Sequence, residues 1–286
     1  MNLNTFYRIW FKDILFYPYD LLKKKNRIKK LIPPKREPIV DKKIYVNIHE
    51  WGGYPQKRTK RIKGINTFDC GLLYQLIRFR NQSYKNGIYV SVTISDIDRC
   101  NYLDEVKKYS DYISSVENKG MDFSGYAEFF RRISTNPNAY IILTNSSVNK
   151  IQYDFLQSYI SYMENNPDVG LLGVSASSMY YHTFLRHNFN PHIQSFFILT
   201  TISVLKDIIE LNGNSFPGIN ETNKHLLIRE GEVKLSALAL ELGYKLAVVH
   251  NGTALKFDYS NYPFPLGDIR RYTKQPNAIC PIISIS

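Results

Sequence analysis

Residues 139–147 read AYIILTNSS, an uncharged, β-rich run that stops abruptly in polar side chains. Ala139 to Leu143 include two isoleucines and a tyrosine, the composition of a strand buried on both faces. Thr144, Asn145, Ser146 and Ser147 then place hydroxyl and amide groups where that strand ends. In open α/β sheets ligands bind just beyond the carboxyl ends of the strands. This polar run therefore either contacts a phosphate or sugar or caps the helix that follows.

Working outward, the same alternation of short β-rich and helical runs extends both ways. KIYVNIHE (43–50) reads as a strand, followed by a basic loop, YPQKRTKRIKG (54–64), and a helix over 70–81. GIYVSVTIS (87–95) and YISSVEN (112–118) are strands, and Phe123, Tyr126, Phe130 and Ile133 mark the inner face of the next helix. A helix over 149–165 and the strand VGLLGVSA (169–176) follow. Near-continuous Val/Ile/Leu strands alternating with helices predict an α/β protein with a mostly parallel sheet covered on both faces. QSFFILTTISVLKDII (194–209) reads as an apolar run leading into a helix. VKLSALALELGYKLAVVH (233–250) reads as a helix, a stop at Gly243 and a final strand. Residues 251–286, rich in Pro, Tyr and Asn, are expected as a tail over the domain.

The chain of 286 residues has 44% apolar and 22% charged residues, which excludes a disordered chain. Its net charge of +12 is not spread evenly: residues 1–63 hold 17 Lys/Arg against 5 Asp/Glu, leaving 20 and 20 in residues 64–286. A nucleic-acid-binding body would interleave basic and stacking residues, so the balanced remainder predicts no nucleic-acid partner. Within 5–22, Tyr7, Trp10, Phe11, Ile14 and Leu15 fall at helical spacing, and Lys23 to Lys30 form a basic run before Pro33. An aromatic amphipathic helix followed by a basic run suits an anionic membrane surface. The alternative is a stripe packed on the protein's own core. We expect residues 1–43 to be this membrane-surface segment and linker, and 44–286 to form a single domain. No apolar run reaches the length of a membrane-spanning helix, and Arg8, Lys12 and Asp13 break up any signal peptide. Cys70, Cys100 and Cys280 are too scattered for a metal knuckle or a disulfide framework, which points to a reducing compartment. The expected location is cytoplasmic, peripheral on the inner face of the membrane.

Three positions after strands carry chemistry. In ENKGMD (117–122), Gly120 permits a positive φ, and Asp122 either caps a helix or reaches a ribose hydroxyl. Asn145 to Ser147 form the second. Glu232 reads as lying in the first turn of the 233–242 helix, either as a complement to the helix dipole or as a general base on a rigid element.

Together VNIHEWGGY (46–54), ENKGMDFSGY (117–126), YIILTNSSV (140–148), HIQSFFIL (192–199) and EVKLSALALELGY (232–244) resemble, in order and spacing, the GT-A class of nucleotide-sugar glycosyltransferases. The likeness is to bacterial cell-surface polysaccharide enzymes related to rhamnan synthesis F proteins and galactofuranosyltransferases, and it covers roughly 44–250. It implies an inverting transferase that moves a sugar from a UDP-hexose such as UDP-galactofuranose, or from dTDP-rhamnose, to a growing cell-surface glycan such as O-antigen or capsule, and a lipid-linked acceptor would explain the membrane-surface segment. His49, Asn118, Gly120 and Asp122 would hold the nucleoside and ribose, and Asn145, Ser146 and Ser147 would occupy the DxD position beside the diphosphate. His192, Gln194 and Ser195 would line the donor-sugar and acceptor side, with Glu232 as catalytic base. The triplet departs from the family in lacking a carboxylate. Metal dependence is therefore open: Mn²⁺ or Mg²⁺ bound through water and the diphosphate, with His250 a further ligand, or Lys57, Arg58, Lys60 and Arg61 as the neutralising charges. The competing reading is a catalytically silent binding or scaffold subunit of the same fold.

Overall fold

The computed structural model of the chain describes residues 3–7, 22, 34–62, 64–179 and 189–285. Most of the amphipathic and basic segment expected over 5–36 lies outside these residues. In chain order the strands are β1 (Asp41–Trp51), β2 (Arg58–Arg61), β3 (Thr67–Cys70), β4 (Ile88–Ser95), β5 (Tyr112–Val116), β6 (Ala139–Asn145) and β7 (Val169–Gly173). They continue with β8 (Ala176–Met179), β9 (Phe189–Ile193), β10 (Phe197–Thr201), β11 (Lys245–His250), β12 (Thr253–Phe257) and β13 (Ser284–Ile285). The longer helices are α1 (Leu72–Arg80), α2 (Leu103–Tyr109), α3 (Asp122–Ile133), α4 (Leu156–Asn165) and α5 (Ile202–Leu211). A further helix, α6, joins Lys224–Leu227, a π-helical Ile228–Val233 and Lys234–Glu241 without a break.

Nine strands form one mixed, mostly parallel sheet in the order β13-β12-β11-β7-β10-β6-β1-β4-β5. β6 is buried along its whole length. Alternate residues feed two cores: Tyr140 and Ile142 pack with α1, α2 and α4 on one face, Ile141 and Leu143 with α3, α5 and α6 on the other. That period of two explains why the strand reads as continuously apolar.

β10 runs antiparallel between β6 and β7. Its entrance therefore lies at the same edge as the carboxyl ends of β1, β4 and β6, with Phe197 opposite Thr144. This reversal brings residues 192–196 to the ligand-binding edge of the sheet.

Several sequence expectations change. The basic loop over 54–64 contains β2, which pairs antiparallel with β3. The helix expected from 149 starts at Leu156. Buried Arg78 donates to the carbonyls of Asn149 and Ile151 and so holds that stretch extended. The tail over 251–286 contributes β12 and β13 to the main sheet. Arg36, at the end of the basic segment, is only 9% exposed. Its guanidinium donates to the carbonyls of Met163, Asn166 and Val169, so this cation belongs to the folded body. No helix among the described residues is long and apolar enough to cross a membrane.

Candidate active site

A cleft of about 810 Å³ opens at the carboxyl edge of β1 and β6. It gathers residues far apart in sequence: His49, Asn118, Asp122, Asn145 to Ser147, His192, Gln194, Ser195 and Glu232 all line it. Of the other residues read as candidates, Gly120 shapes the turn into α3 with φ 83. Lys57 lies over the Tyr74 ring, while Arg58, Lys60 and Arg61 line the cleft.

The strand register builds the floor. His49 sits beside Thr93 on β4 and Asn145 on β6. Its ring is buried, with Nδ1 3.3 Å from Thr93 Oγ1 and Nε2 3.4 Å from Ser95 Oγ. Burial lowers the His49 pKa, against the pull of Asp122, whose Oδ1 lies 4.0 Å from Nε2. Asp122 begins α3 and accepts from Asn145 Nδ2 at 2.6 Å, while Asn145 Oδ1 accepts from Ser147 N at 2.9 Å. Both ends of the Asn145 amide are thus in use.

One partner of the triplet was not foreseen. Glu50, 1% exposed, accepts from Ser146 Oγ at 2.8 Å and from Arg58 Nη1 at 3.0 Å, and Arg58 Nη2 donates to Ser146 Oγ at 2.6 Å. Burial pushes the Glu50 carboxyl up, and Arg58 and Ser146 oppose that shift. The signal was available in HEW, since Glu50 follows His49 at the end of β1, the same post-strand position that drew attention to Asn145.

Glu232 needs a correction of place. It is not in the first turn of a helix but within the π-helical turns of α6, because the helix begins earlier, where Asn223 Oδ1 accepts from His225 N and Leu226 N. The macrodipole argument therefore does not apply to it. Its carboxylate is fixed from the facing segment: Oε2 accepts from Ser195 N at 2.7 Å and Ser195 Oγ at 2.8 Å, and Oε1 lies 3.6 Å from His192 Nε2. Burial acts to raise the Glu232 pKa, but His192 and Ser195 outweigh it and hold the group below the usual carboxylate range. Tyr126 of α3 donates to the Ser195 carbonyl at 2.8 Å and fixes the segment in turn.

A hard divalent cation wants several oxygen ligands with free lone pairs. The amide of Asn145 is engaged, Ser146 is held between Glu50 and a guanidinium, and Asp122 is bonded to Asn145. His250 does not join them. It lines a second cavity, of about 550 Å³, with its Nε2 accepting from Asn251 Nδ2 at 3.1 Å. Among the described residues no group of three or more His, Cys, Asp or Glu side chains could hold a metal. The residues at the triplet do not fit a resident Mn²⁺ or Mg²⁺.

No protein-family model and no curated protein matches the sequence. Among solved structures the chain is similar to a mannosyltransferase from Pyrobaculum calidifontis in complex with GDP-mannose and Mn²⁺, at 11% identity and a TM-score of 0.45. That match covers 82% of this chain and 62% of the mannosyltransferase, so the chain spans about three fifths of its length. It is also similar to 4-diphosphocytidyl-2C-methyl-D-erythritol synthase from Anaerococcus prevotii (13% identity, TM-score 0.44, covering 74% and 90% of the two chains). A third is S. aureus TarS, residues 1–349 (10% identity, TM-score 0.40, covering 73% and 58%).

Proposed function

We propose that the protein is a nucleotide-sugar-dependent glycosyltransferase of the GT-A class with Glu232 as its general base. The observation that carries this reading is the arrival in one cleft of Asp122, the Asn145–Ser147 triplet and a partly buried, fixed Glu232, from three separate stretches of sequence. His49 and Asp122 take the nucleoside and ribose, the triplet lies beside the diphosphate, and His192, Gln194 and Ser195 face the sugar. Glu232 removes the proton of an acceptor hydroxyl as that oxygen bonds to the anomeric carbon. The bond from that carbon to the diphosphate breaks with its electron pair staying on the phosphate oxygen, and the configuration inverts. General-base help of this kind is worth about 10²–10⁴ in rate, and alignment of the two sugars supplies more.

The donor is a UDP-hexose such as UDP-galactofuranose, or dTDP-rhamnose. The acceptor is a lipid-linked cell-surface glycan, reached from the cytoplasmic face of the membrane that residues 5–33 engage. The carboxylate-free triplet supports a second reading, a silent binding subunit of a polysaccharide assembly complex. Purified protein given these donors should release nucleotide when acceptor glycan is added. Failure to bind any nucleotide sugar overturns the reading; binding without release across an acceptor panel favours the silent subunit.

A further inference from the structure

We propose that the β2–β3 hairpin supplies the positive charge of a nucleoside diphosphate site, with Arg58 and Lys60 holding the diphosphate directly and no divalent cation required to bind it. This rests on the nucleotide-sugar reading and deepens it.

The hairpin is docked on the triplet. Gly71 N, at its base, donates to the Ser146 carbonyl at 2.9 Å, and Ser146 N donates to the His49 carbonyl at 3.2 Å. Alternation along β2 puts Arg58 and Lys60 on one face and Thr59 on the other. Thr59 Oγ1 and Lys150 Nζ both donate to Asp69, at 2.9 and 2.8 Å, and pin the outer side. Arg58 is fixed three ways: by Glu50, by Ser146 and by its position over the Tyr54 ring at 4.0 Å. A guanidinium thus occupies the polar triplet, where hard-cation ligands are missing.

Lys60 is the more telling residue. It lines the same cleft and is half-buried, yet its ammonium makes no hydrogen bond or ion pair to any described residue. Burial lowers its pKa, with Asp122 the largest opposing attraction. Of the other cations lining the cleft, Arg58 and Arg270 are engaged with Glu50 and Asp268, and Arg61 and Lys224 are exposed to water. Withdrawing an ammonium from water without a partner is unfavourable, and the cost is recovered only when an anion arrives. A diphosphate is the anion that fits a compact ammonium beside a planar guanidinium. The same pair meets the charge left on the diphosphate when the sugar departs.

The test is calorimetric titration of the full chain with UDP, dTDP and GDP, each in EDTA and each in Mn²⁺. One of these nucleotides is expected to bind with the same affinity in both conditions. Lys60→Met should weaken it about ten- to a hundredfold, as for loss of a charge-assisted hydrogen bond, with Lys60→Arg recovering most of the loss. Lys60→Gln serves as a second neutral variant, and melting curves of all three confirm the fold. Binding only with Mn²⁺ overturns this inference and leaves the transferase reading standing. Metal-free binding that neither neutral variant weakens also overturns it. Absence of binding by any nucleotide in either condition overturns the transferase reading itself.

Discussion

At Glu232 the two carboxylate oxygens have different surroundings. Oε2 accepts twice from Ser195, while Oε1 faces the His192 ring. His192 Nδ1 lies 2.6 Å from the Asn190 carbonyl, a contact that turns Nε2 toward the carboxylate. These contacts favour the ionised form and hold the Glu232 pKa below its ordinary value despite burial. Because the folded pKa is depressed, the stabilisation is present above the ordinary carboxylate pKa and is lost as pH falls through the folded one. An acid limb in kcat/KM caused by Glu232 accordingly lies below the ordinary carboxylate range. Ser195→Ala removes one bond to the ionised form, so that limb should move to higher pH; a pH–rate profile checks it. Glu232→Gln should lower kcat by about 10²–10⁴ while leaving nucleotide-induced thermal shifts in place. Near-normal turnover in that variant would remove Glu232 from the role of base.

At the scale of elements, the π-helical turns of α6 carry Glu232, and Gly231 lets them lie close against α3. A Cβ on Gly231 would lie 2.8 Å from the Phe123 ring of α3, and the Cα of Gly231 is already the closest neighbour a Cβ on Gly218 would meet. Gly231→Ala must therefore push α6 away from α3 and carry Glu232 off Ser195. We expect turnover to fall at least tenfold, because displacements near 1 Å are costly in catalysis, with a smaller loss of melting temperature. Equal turnover would show that the close approach is incidental. β6 was legible in sequence because a strand buried on both faces needs a near-continuous apolar run. The direction of β10 was not, since FFILTT reads alike in a parallel or an antiparallel strand, and its reversal is what delivers Gln194 and Ser195 to the cleft. The β2–β3 hairpin was also hidden. KRTKR has no apolar alternation, and its pairing is held by backbone bonds, by Asp69 and by the buried Glu50 to which Arg58 donates. The order of motifs was thus readable while the partners of each motif were not, because those partners meet only when the sheet assembles.

For the whole molecule, the asymmetry of charge has three destinations. Arg58, Lys60 and Arg61 line the cleft, and Arg36 is consumed in capping carbonyls at the end of α4 and the start of β7. In the proposed reading the cations at 23–30, with Lys35, meet an anionic surface, where each would contribute about 1 kcal/mol when close to the lipid. Two truncations separate these roles. Removing residues 1–33 should abolish co-sedimentation with vesicles containing anionic lipid, while the melting temperature and transfer to a soluble acceptor stay near those of the full chain. Removing residues 1–36 should in addition lower the melting temperature by several degrees. Each buried carbonyl left without its donor costs about 1–3 kcal/mol, and 1 kcal/mol corresponds to about 2–4 °C in a domain of this size. If the shorter truncation still binds vesicles as the full chain does, the membrane-facing role of the first 33 residues falls. The folded body would then have to carry that contact.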